Sequence, residues 1–139
     1  MANSERVNNA QLLELKRDVV LFDLDGTVLD THDAILDSMR YATREVLKTV
    51  IPDEALVAEV GQPLVTQMRT LAPDEETAQE LLVVYRTRNE KDLNLKTAPF
   101  AGIEQLIRQL KHEGFTVAVV TSKREALATT SLKAFGMYD

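Results

Sequence analysis

The sequence predicts an α/β fold in which a Rossmann-like core of parallel strands carries an inserted all-helical cap. Two short apolar runs, residues 19–22 and 115–120, are rich in β-branched and aromatic residues, which is typical of buried strands. Helical periodicity fills the long stretch between them, and each run ends at polar side chains. Parallel strands joined by helices place a ligand site beyond their carboxyl ends. We therefore expect the functional residues where these two runs end.

The helical periodicity divides the chain into three parts: a polar tail over 1–17, a core formed by 18–30 and 98–139, and a cap over 31–97. In the cap, four apolar residues at helical spacing predict a helix over about 31–48, which Thr31 would cap: Ile35, Met39, Ala42 and Val46. Pro63 is expected at the first position of another helix. Pro73 and the acidic residues after it mark the start of a helix that runs to about Leu93.

The second half of the core repeats the pattern of helix, strand and helix. An apolar stripe predicts a helix that Gly114 ends: Ile103, Leu106, Ile107 and Leu110. After the second apolar run, Ser122 and Glu125 have the spacing of a capping box, which predicts a helix over 123–135.

Composition excludes several classes of protein. The 139 residues carry a net charge of -6, from 22 acidic and 16 basic residues, which argues against a nucleic-acid partner. No cysteine is present, so disulfides, thiolate metal sites and thiol nucleophiles are excluded. No apolar run approaches the length of a signal-peptide core or a membrane span, so we expect a cytoplasmic protein without a membrane partner.

The acidic turn that follows the first run carries the strongest chemical signal. Asp23 and Asp25 leave an extended chain on the same side, and such a pair of like charges favours a cation between them or a proton on one of them. A calcium loop is disfavoured because Thr27, Val28 and Ala34 occupy positions that need other residues. A solvated acidic turn without chemistry is the other alternative. Phosphoryl transfer would use both carboxylates. One would be the nucleophile, the other would be the acid and base, and Mg²⁺ would be the cofactor.

Residues 22–31, Phe-Asp-Leu-Asp-Gly-Thr-Val-Leu-Asp-Thr, resemble the first motif of the haloacid dehalogenase-like hydrolases, specifically of their phosphatases with a helical cap. The resemblance implies that Asp23 is the nucleophile and a metal ligand. It implies that Asp25 is the general acid and base and also faces the metal. Thr121, at the end of the second run, is similar to the second motif, which binds the transferring phosphoryl group. Ser122 and Leu24 are the other phosphate contacts that the resemblance implies.

The residues around these motifs leave some roles open. Ser122 is expected as a helix cap as well, and Lys123 as a solvated side chain at a helix N-terminus. Two cap segments are most similar to phosphoglycolate phosphatases and the related pyrophosphatases: residues 61–64 and residues 85–89, Tyr-Arg-Thr-Arg-Asn. In the first of them, Gly61 and Gln62 are candidate substrate contacts. The residues after Gly61 lack the basic side chain usual in sugar-phosphate mutases, so hydrolysis of a small phosphorylated metabolite is favoured over transfer.

The family also needs a lysine and a second acidic pair on later strands, and neither is found in this sequence. We therefore expect a fragment, or an incompletely represented chain, with low activity alone and self-association through unpaired sheet edges. Three alternatives to the phosphatase stay open: a non-catalytic phosphate-binding or assembly module, a phosphoacceptor signalling domain, and a pyrophosphatase or sugar-phosphate mutase of the same superfamily.

Overall fold

A computed structural model of the chain describes residues 18–92 and 94–139, so the predicted tail over 1–17 lies outside the described residues. It has the predicted mixed α/β class. In chain order the elements are β1 (Val19–Phe22), β2 (Leu29–Asp30), α1 (His32–Leu47), α2 (Asp53–Val57), α3 (Leu64–Leu71), α4 (Glu75–Asp92), β3 (Ala98–Pro99), α5 (Ile103–His112), β4 (Thr116–Val119) and α6 (Glu125–Ala134).

Strands β1 and β4 pair in parallel, as the two apolar runs predicted, with Val19 opposite Thr116 and Phe22 opposite Val119. The pairing extends one residue further, because the Val120 N–H donates to the Phe22 carbonyl at 2.8 Å. The second strand is shorter than the predicted 115–120. Since both strands run the same way, Asp23 and the loop after Val119 meet at one edge of the sheet.

A second pair of strands, which the sequence did not predict, joins the two ends of the helical insertion. Strands β2 and β3 are antiparallel, with Leu29 opposite Pro99 and Asp30 opposite Ala98. Each is only two residues long, too short to produce an alternating pattern. The chain therefore enters and leaves the helices α1 to α4, here called the helical lobe, at adjacent points.

Two apolar clusters stabilise the two parts of the molecule. The helical lobe buries residues from all four of its helices: Leu36, Met39, Ala42, Leu56, Met68, Ala78, Leu81, Leu82 and Tyr85. Under the sheet edge, residues of the acidic turn pack on α5 and α6: Leu24, Val28, Leu29, Ile103 and Ala128. Each fully buried large side chain contributes about 1.5–3 kcal/mol. The domain limits predicted at 17/18, 30/31 and 97/98 stay a prediction.

Polar contacts add to the packing of α1 on α4. Arg88 of α4 pairs with Asp37 of α1 and with Asp92, and its guanidinium lies 5.1 Å from the centre of the Tyr41 ring. Lys96 also pairs with Asp37, at 3.0 Å. Hydrogen bonding by Lys96 and then by Arg88 lowers the pKa of Asp37. These ion pairs hold the end of the lobe close to its start.

Several predicted helix ends are wrong in detail. Thr31 precedes α1 but makes no side-chain cap hydrogen bond, and the His32 N–H donates to the Asp30 carboxylate at 3.4 Å instead. Pro63 stands just before α3 rather than at its first position. Leu106 was placed in the apolar stripe of α5 but is 43% exposed, because the buried positions of that helix are Ile103 and Leu110.

The predicted start of α4 agrees with the structure. The first residue of this helix, Glu75, has a lowered pKa that can be tested. Glu75 accepts hydrogen bonds from Arg69 and Gln79, which lower its pKa from 4.5 to about 2. A depressed folded-state pKa adds stability above pH 4.5, and that stability is lost as the pH falls through 4.5 toward 2.

We expect the free energy of unfolding of wild type, relative to Glu75→Gln, to decrease over this pH interval. Denaturant titrations at a series of pH values measure it. The Arg69→Gln variant is the control, because it should raise the pKa of Glu75, which can be followed by NMR. A difference that does not change between pH 4.5 and 2 would contradict the assignment.

Candidate active site

A cavity of about 800 Å³ lies between the carboxyl edge of β1 and β4 and the helical lobe. Its core wall consists of the acidic turn and the loop after β4. Its opposite wall belongs to the lobe, mainly to the segment before α3 and to α4. The residues used below are Asp23, Asp25, Thr121, Ser122, Lys123 and Arg124 on the core side, and Gly61, Gln62, Gln67, Tyr85, Arg86, Asn89 and Glu90 on the lobe side.

The acidic turn is built around one carbonyl. The Leu24 oxygen accepts the backbone N–H groups of Thr27, Val28 and Leu29 at 3.3, 3.0 and 2.9 Å. Gly26 has φ +80°, a conformation that residues with a Cβ rarely adopt, which lets the chain reverse there. Because Leu24 is fully buried beneath the turn, its two acidic neighbours face the cavity.

Asp23 follows β1 directly, and its side chain is exposed to the cavity. The Leu24 N–H donates to Asp23 Oδ1 at 2.7 Å, so one carboxylate oxygen is oriented by the backbone. The predicted phosphate contact of Leu24 would use the same N–H group. A phosphate bound there therefore shares or replaces this hydrogen bond.

Asp25 forms an ion pair with Lys123, whose Nζ lies 2.7 Å from Asp25 Oδ1. The lysine side chain is only 10% exposed, so the prediction that Lys123 is solvated is wrong. The two residues are distant in sequence, and the pair forms because parallel β1 and β4 bring their carboxyl ends together. The lysine compensates one of the two adjacent carboxylates without any added cation.

Thr121 and Ser122 lie in the loop between β4 and α6. The Lys123 N–H donates to the Thr121 hydroxyl at 3.1 Å, a local turn that keeps the residues up to Arg124 out of the helix. Helix α6 therefore begins at Glu125, and the predicted capping box of Ser122 with Glu125 is wrong. Both hydroxyl residues still line the cavity, Thr121 half-buried and Ser122 exposed.

Gly61 and Gln62 line the cavity from the lobe side, in the segment before α3. Gln67 holds this segment, because its Nε2 donates to the Gln62 carbonyl at 2.8 Å. The structure thus brings the two predicted lobe residues to the cavity that contains Asp23. Their contact with substrate stays a prediction.

Four further residues of α4 line the cavity: Tyr85, Arg86, Asn89 and Glu90. The first three belong to the stretch 85–89 that carries part of the family resemblance, but the sequence did not predict them as site residues. Their spacing was the available signal, since residues three and four apart share a helix face. Burial, and then the charge of Asp25, raises the pKa of Tyr85. Glu90 forms an ion pair with Arg124 of the core, which links the lobe to the loop before α6.

The residues present fit Mg²⁺ in kind. Asp23 and Asp25 supply the carboxylate oxygens that Mg²⁺ prefers, and the ion commonly uses one or two carboxylates with water and phosphate oxygens. Among residues 18–92 and 94–139, no three His, Asp or Glu side chains are grouped to hold a metal. Asp23 and Asp25 are the residues at this edge of the sheet that would hold Mg²⁺.

The comparison with family models decides the classification. The model of the haloacid dehalogenase-like hydrolases matches residues 20–139. The chain belongs to this family. The hydrolase match includes both apolar strands, the acidic turn and the whole helical lobe.

Individual relatives of the chain carry different names. The chain is 30% identical to the pyrophosphatase PpaX of Halalkalibacterium halodurans, over 85% of this chain and 54% of that protein. It is 33% identical to the tyrosine-protein kinase PtkA of Mycobacterium tuberculosis, over 86% of this chain and 40% of that protein. It is 28% identical to the phosphoglycolate phosphatase of Nitrosospira multiformis, over 86% of this chain and 56% of that protein.

A solved structure agrees with the fold. The crystal structure of "a predicted phosphatase from Clostridium acetobutylicum" superposes with a TM-score of 0.78 at 34% identity, over 87% of this chain and 56% of that one. The chain spans about half the length of the curated relatives it matches. Within the described residues, no helix is long and apolar enough to cross a membrane.

Proposed function

We propose that the protein is a Mg²⁺-dependent phosphatase that hydrolyses a small, phosphoglycolate-like phosphate monoester through an aspartyl-phosphate on Asp23. The observation that carries the proposal is the exposed Asp23 carboxylate at the end of β1, beside an Asp25 held by Lys123, in a cavity that the lobe covers. Family membership and relatives named pyrophosphatase and phosphoglycolate phosphatase support it.

In the first step a carboxylate oxygen of Asp23 attacks phosphorus, and the bond from phosphorus to the leaving oxygen breaks. Asp25 gives its proton to that oxygen, so the product leaves as a neutral alcohol. Lys123 binds Oδ1 of Asp25, so the proton that is transferred is carried on Oδ2. The same lysine lies beside the acidic turn, where its charge would also favour an incoming phosphoryl group.

In the second step Asp25 takes a proton from water, and the water oxygen attacks phosphorus. The bond from phosphorus to Asp23 breaks, which restores the carboxylate and releases inorganic phosphate. In this proposal the Thr121 hydroxyl, Ser122 and the Leu24 N–H bind phosphoryl oxygens, while Gly61 and Gln62 contact the rest of the substrate. Bound Mg²⁺, held by Asp23 and Asp25, would neutralise the repulsion between carboxylate and phosphate.

Pyrophosphate hydrolysis is the second candidate, and the relative named pyrophosphatase favours it. The same residues would catalyse this reaction, in which the leaving group is a second phosphate instead of an alcohol. The net charge of -6 supports a small-molecule partner rather than a nucleic acid. A cytoplasmic location stays a prediction.

Removal of the metal tests the proposal. Phosphate release from phosphoglycolate by the full-length gene product should fall to background in EDTA and return when Mg²⁺ is added in excess. Ca²⁺ at the same concentration is the control, because its larger and more flexible coordination shell should support much slower turnover. Equal rates with EDTA and with Mg²⁺ would exclude the proposed role of the metal.

A further inference from the structure

The charged side chains of the cavity are unequally paired. On the core side Lys123 pairs with Asp25, and across the cavity Arg124 pairs with Glu90. Arg86 of α4 also lines the cavity and is half-buried, but it makes no ion pair or hydrogen bond with any of residues 18–92 and 94–139. A partly desolvated guanidinium without a partner is costly, and a bound anion would offset that cost.

A second polar group on the same wall also lacks a partner. Gln67 is 8% exposed, and its Oε1 makes no hydrogen bond within the described residues. Its orientation is fixed, because Nε2 must be the atom that donates to the Gln62 carbonyl. This oxygen is buried and accepts hydrogen bonds only, so it cannot hold an anion. Arg86 is therefore the group on this wall that indicates an anionic ligand.

The position of the nucleophile determines which part of a substrate reaches this wall. A phosphoryl group in reach of Asp23 lies against the core side of the cavity. Its leaving group must then extend away from Asp23, toward the lobe, where Arg86 and Gln67 lie. A guanidinium recognises carboxylates and phosphates through paired N–H donors.

We propose that Arg86 binds a second anionic group on the leaving group, which makes the protein selective for phosphate esters or anhydrides that carry a carboxylate or a second phosphate. This inference rests on the proposed function. Arg88, two residues on, is not the equivalent group, because it is already paired with Asp37 and Asp92.

The test compares two substrates of nearly equal size. Phosphoglycolate carries a carboxylate where ethyl phosphate carries a methyl group. Arg86→Gln should lower kcat/KM for phosphoglycolate by about 10- to 100-fold, the usual range for one lost charged hydrogen bond. The kcat/KM for ethyl phosphate should stay within about twofold of the wild-type value. Pyrophosphate against methyl phosphate should give the same contrast if the second group is a phosphate. Arg86→Lys should recover part of the selectivity.

Arg44→Gln is the matched control, because Arg44 is an exposed arginine of the lobe outside the cavity. The Arg44→Gln substitution should not change kcat/KM for either substrate. Equal loss on both substrates in Arg86→Gln would overturn the inference while the proposed function stands.

A binding measurement separates the two failures. Calorimetry with Asp23→Asn, with and without Arg86→Gln, should show weaker phosphoglycolate binding only when Arg86 is replaced. If wild type released no phosphate from any substrate, the proposed function would fail. The binding result would still support or overturn the role of Arg86.

Discussion

The Asp23→Asn variant should lose phosphatase activity by a factor on the order of 10⁴ or more, because an amide cannot form the acyl-phosphate bond. The substitution keeps the size of the side chain, and its oxygen can still accept the Leu24 N–H. We therefore expect an unchanged fold and a retained capacity to bind substrate. Phosphate release by the full-length gene product, over a range of substrate concentrations, measures the effect on kcat.

Asp18→Asn is the matched control for this substitution. Asp18 is an exposed aspartate at the amino end of β1, away from the cavity, and its replacement should leave kcat within about twofold. Wild type quenched in acid during turnover should carry the added mass of one phosphoryl group, and Asp23→Asn should carry none. Normal turnover by Asp23→Asn would refute the mechanism.

Leu24→Ala should destabilise the core by about 2–5 kcal/mol, the range for truncation of a fully buried leucine. Leu24 is completely inaccessible and packs in the cluster beneath the acidic turn. Its loss leaves a cavity under the residues that carry the chemistry. Urea unfolding followed by circular dichroism measures the change in the free energy of unfolding.

Leu95→Ala provides the comparison, since Leu95 is 80% exposed and should change stability by no more than about 0.5 kcal/mol. Activity should separate the two variants as well. Leu24→Ala should also lower kcat, because the turn that orients Asp23 and Asp25 depends on the Leu24 position. Equal stability of the two variants would show that the cluster beneath the turn does not support it.

The parallel core was predictable because its signals are local. Residues 19–22 and 116–119 are mostly apolar and include several β-branched side chains, and helical spacing marks the segments between them. The acidic turn was predictable because two carboxylates follow an apolar strand directly. The expectation that this strand is buried is wrong, since Val19 and Leu21 are more than half exposed in the two-stranded sheet. The strand direction followed from the intervening helices rather than from the strands themselves.

The misses share a physical cause, which is competition from tertiary contacts or from local turns. Lys123 was placed in solvent because its partner Asp25 is distant in sequence. The capping box failed because the Thr121 hydroxyl captured the Lys123 N–H and delayed the helix. The β2 and β3 pair exists only because the chain returns to its own departure point, which no local pattern records.

The lobe wall of the cavity shows a third limit. Arg86 and Gln67 lie on different helices, and neither differs in sequence from an ordinary surface polar residue. What distinguishes the two side chains is that the Arg86 guanidinium and Gln67 Oε1 have no partner within the described residues, and only the three-dimensional structure shows this. Sequence reasoning reached Gly61, Gln62 and the stretch 85–89 on this wall through a family resemblance, and it predicted a substrate contact only for Gly61 and Gln62.

The short antiparallel pair at Leu29 and Pro99 has an evolutionary consequence. It holds the two ends of the helical insertion side by side, so the chain leaves the core and returns to it at adjacent residues. Insertions of other lengths and shapes can be exchanged at such a junction without disturbing the strands, because only their ends must fit. A change confined to α1 to α4 would therefore alter the lobe wall of the cavity and leave the acidic turn unchanged.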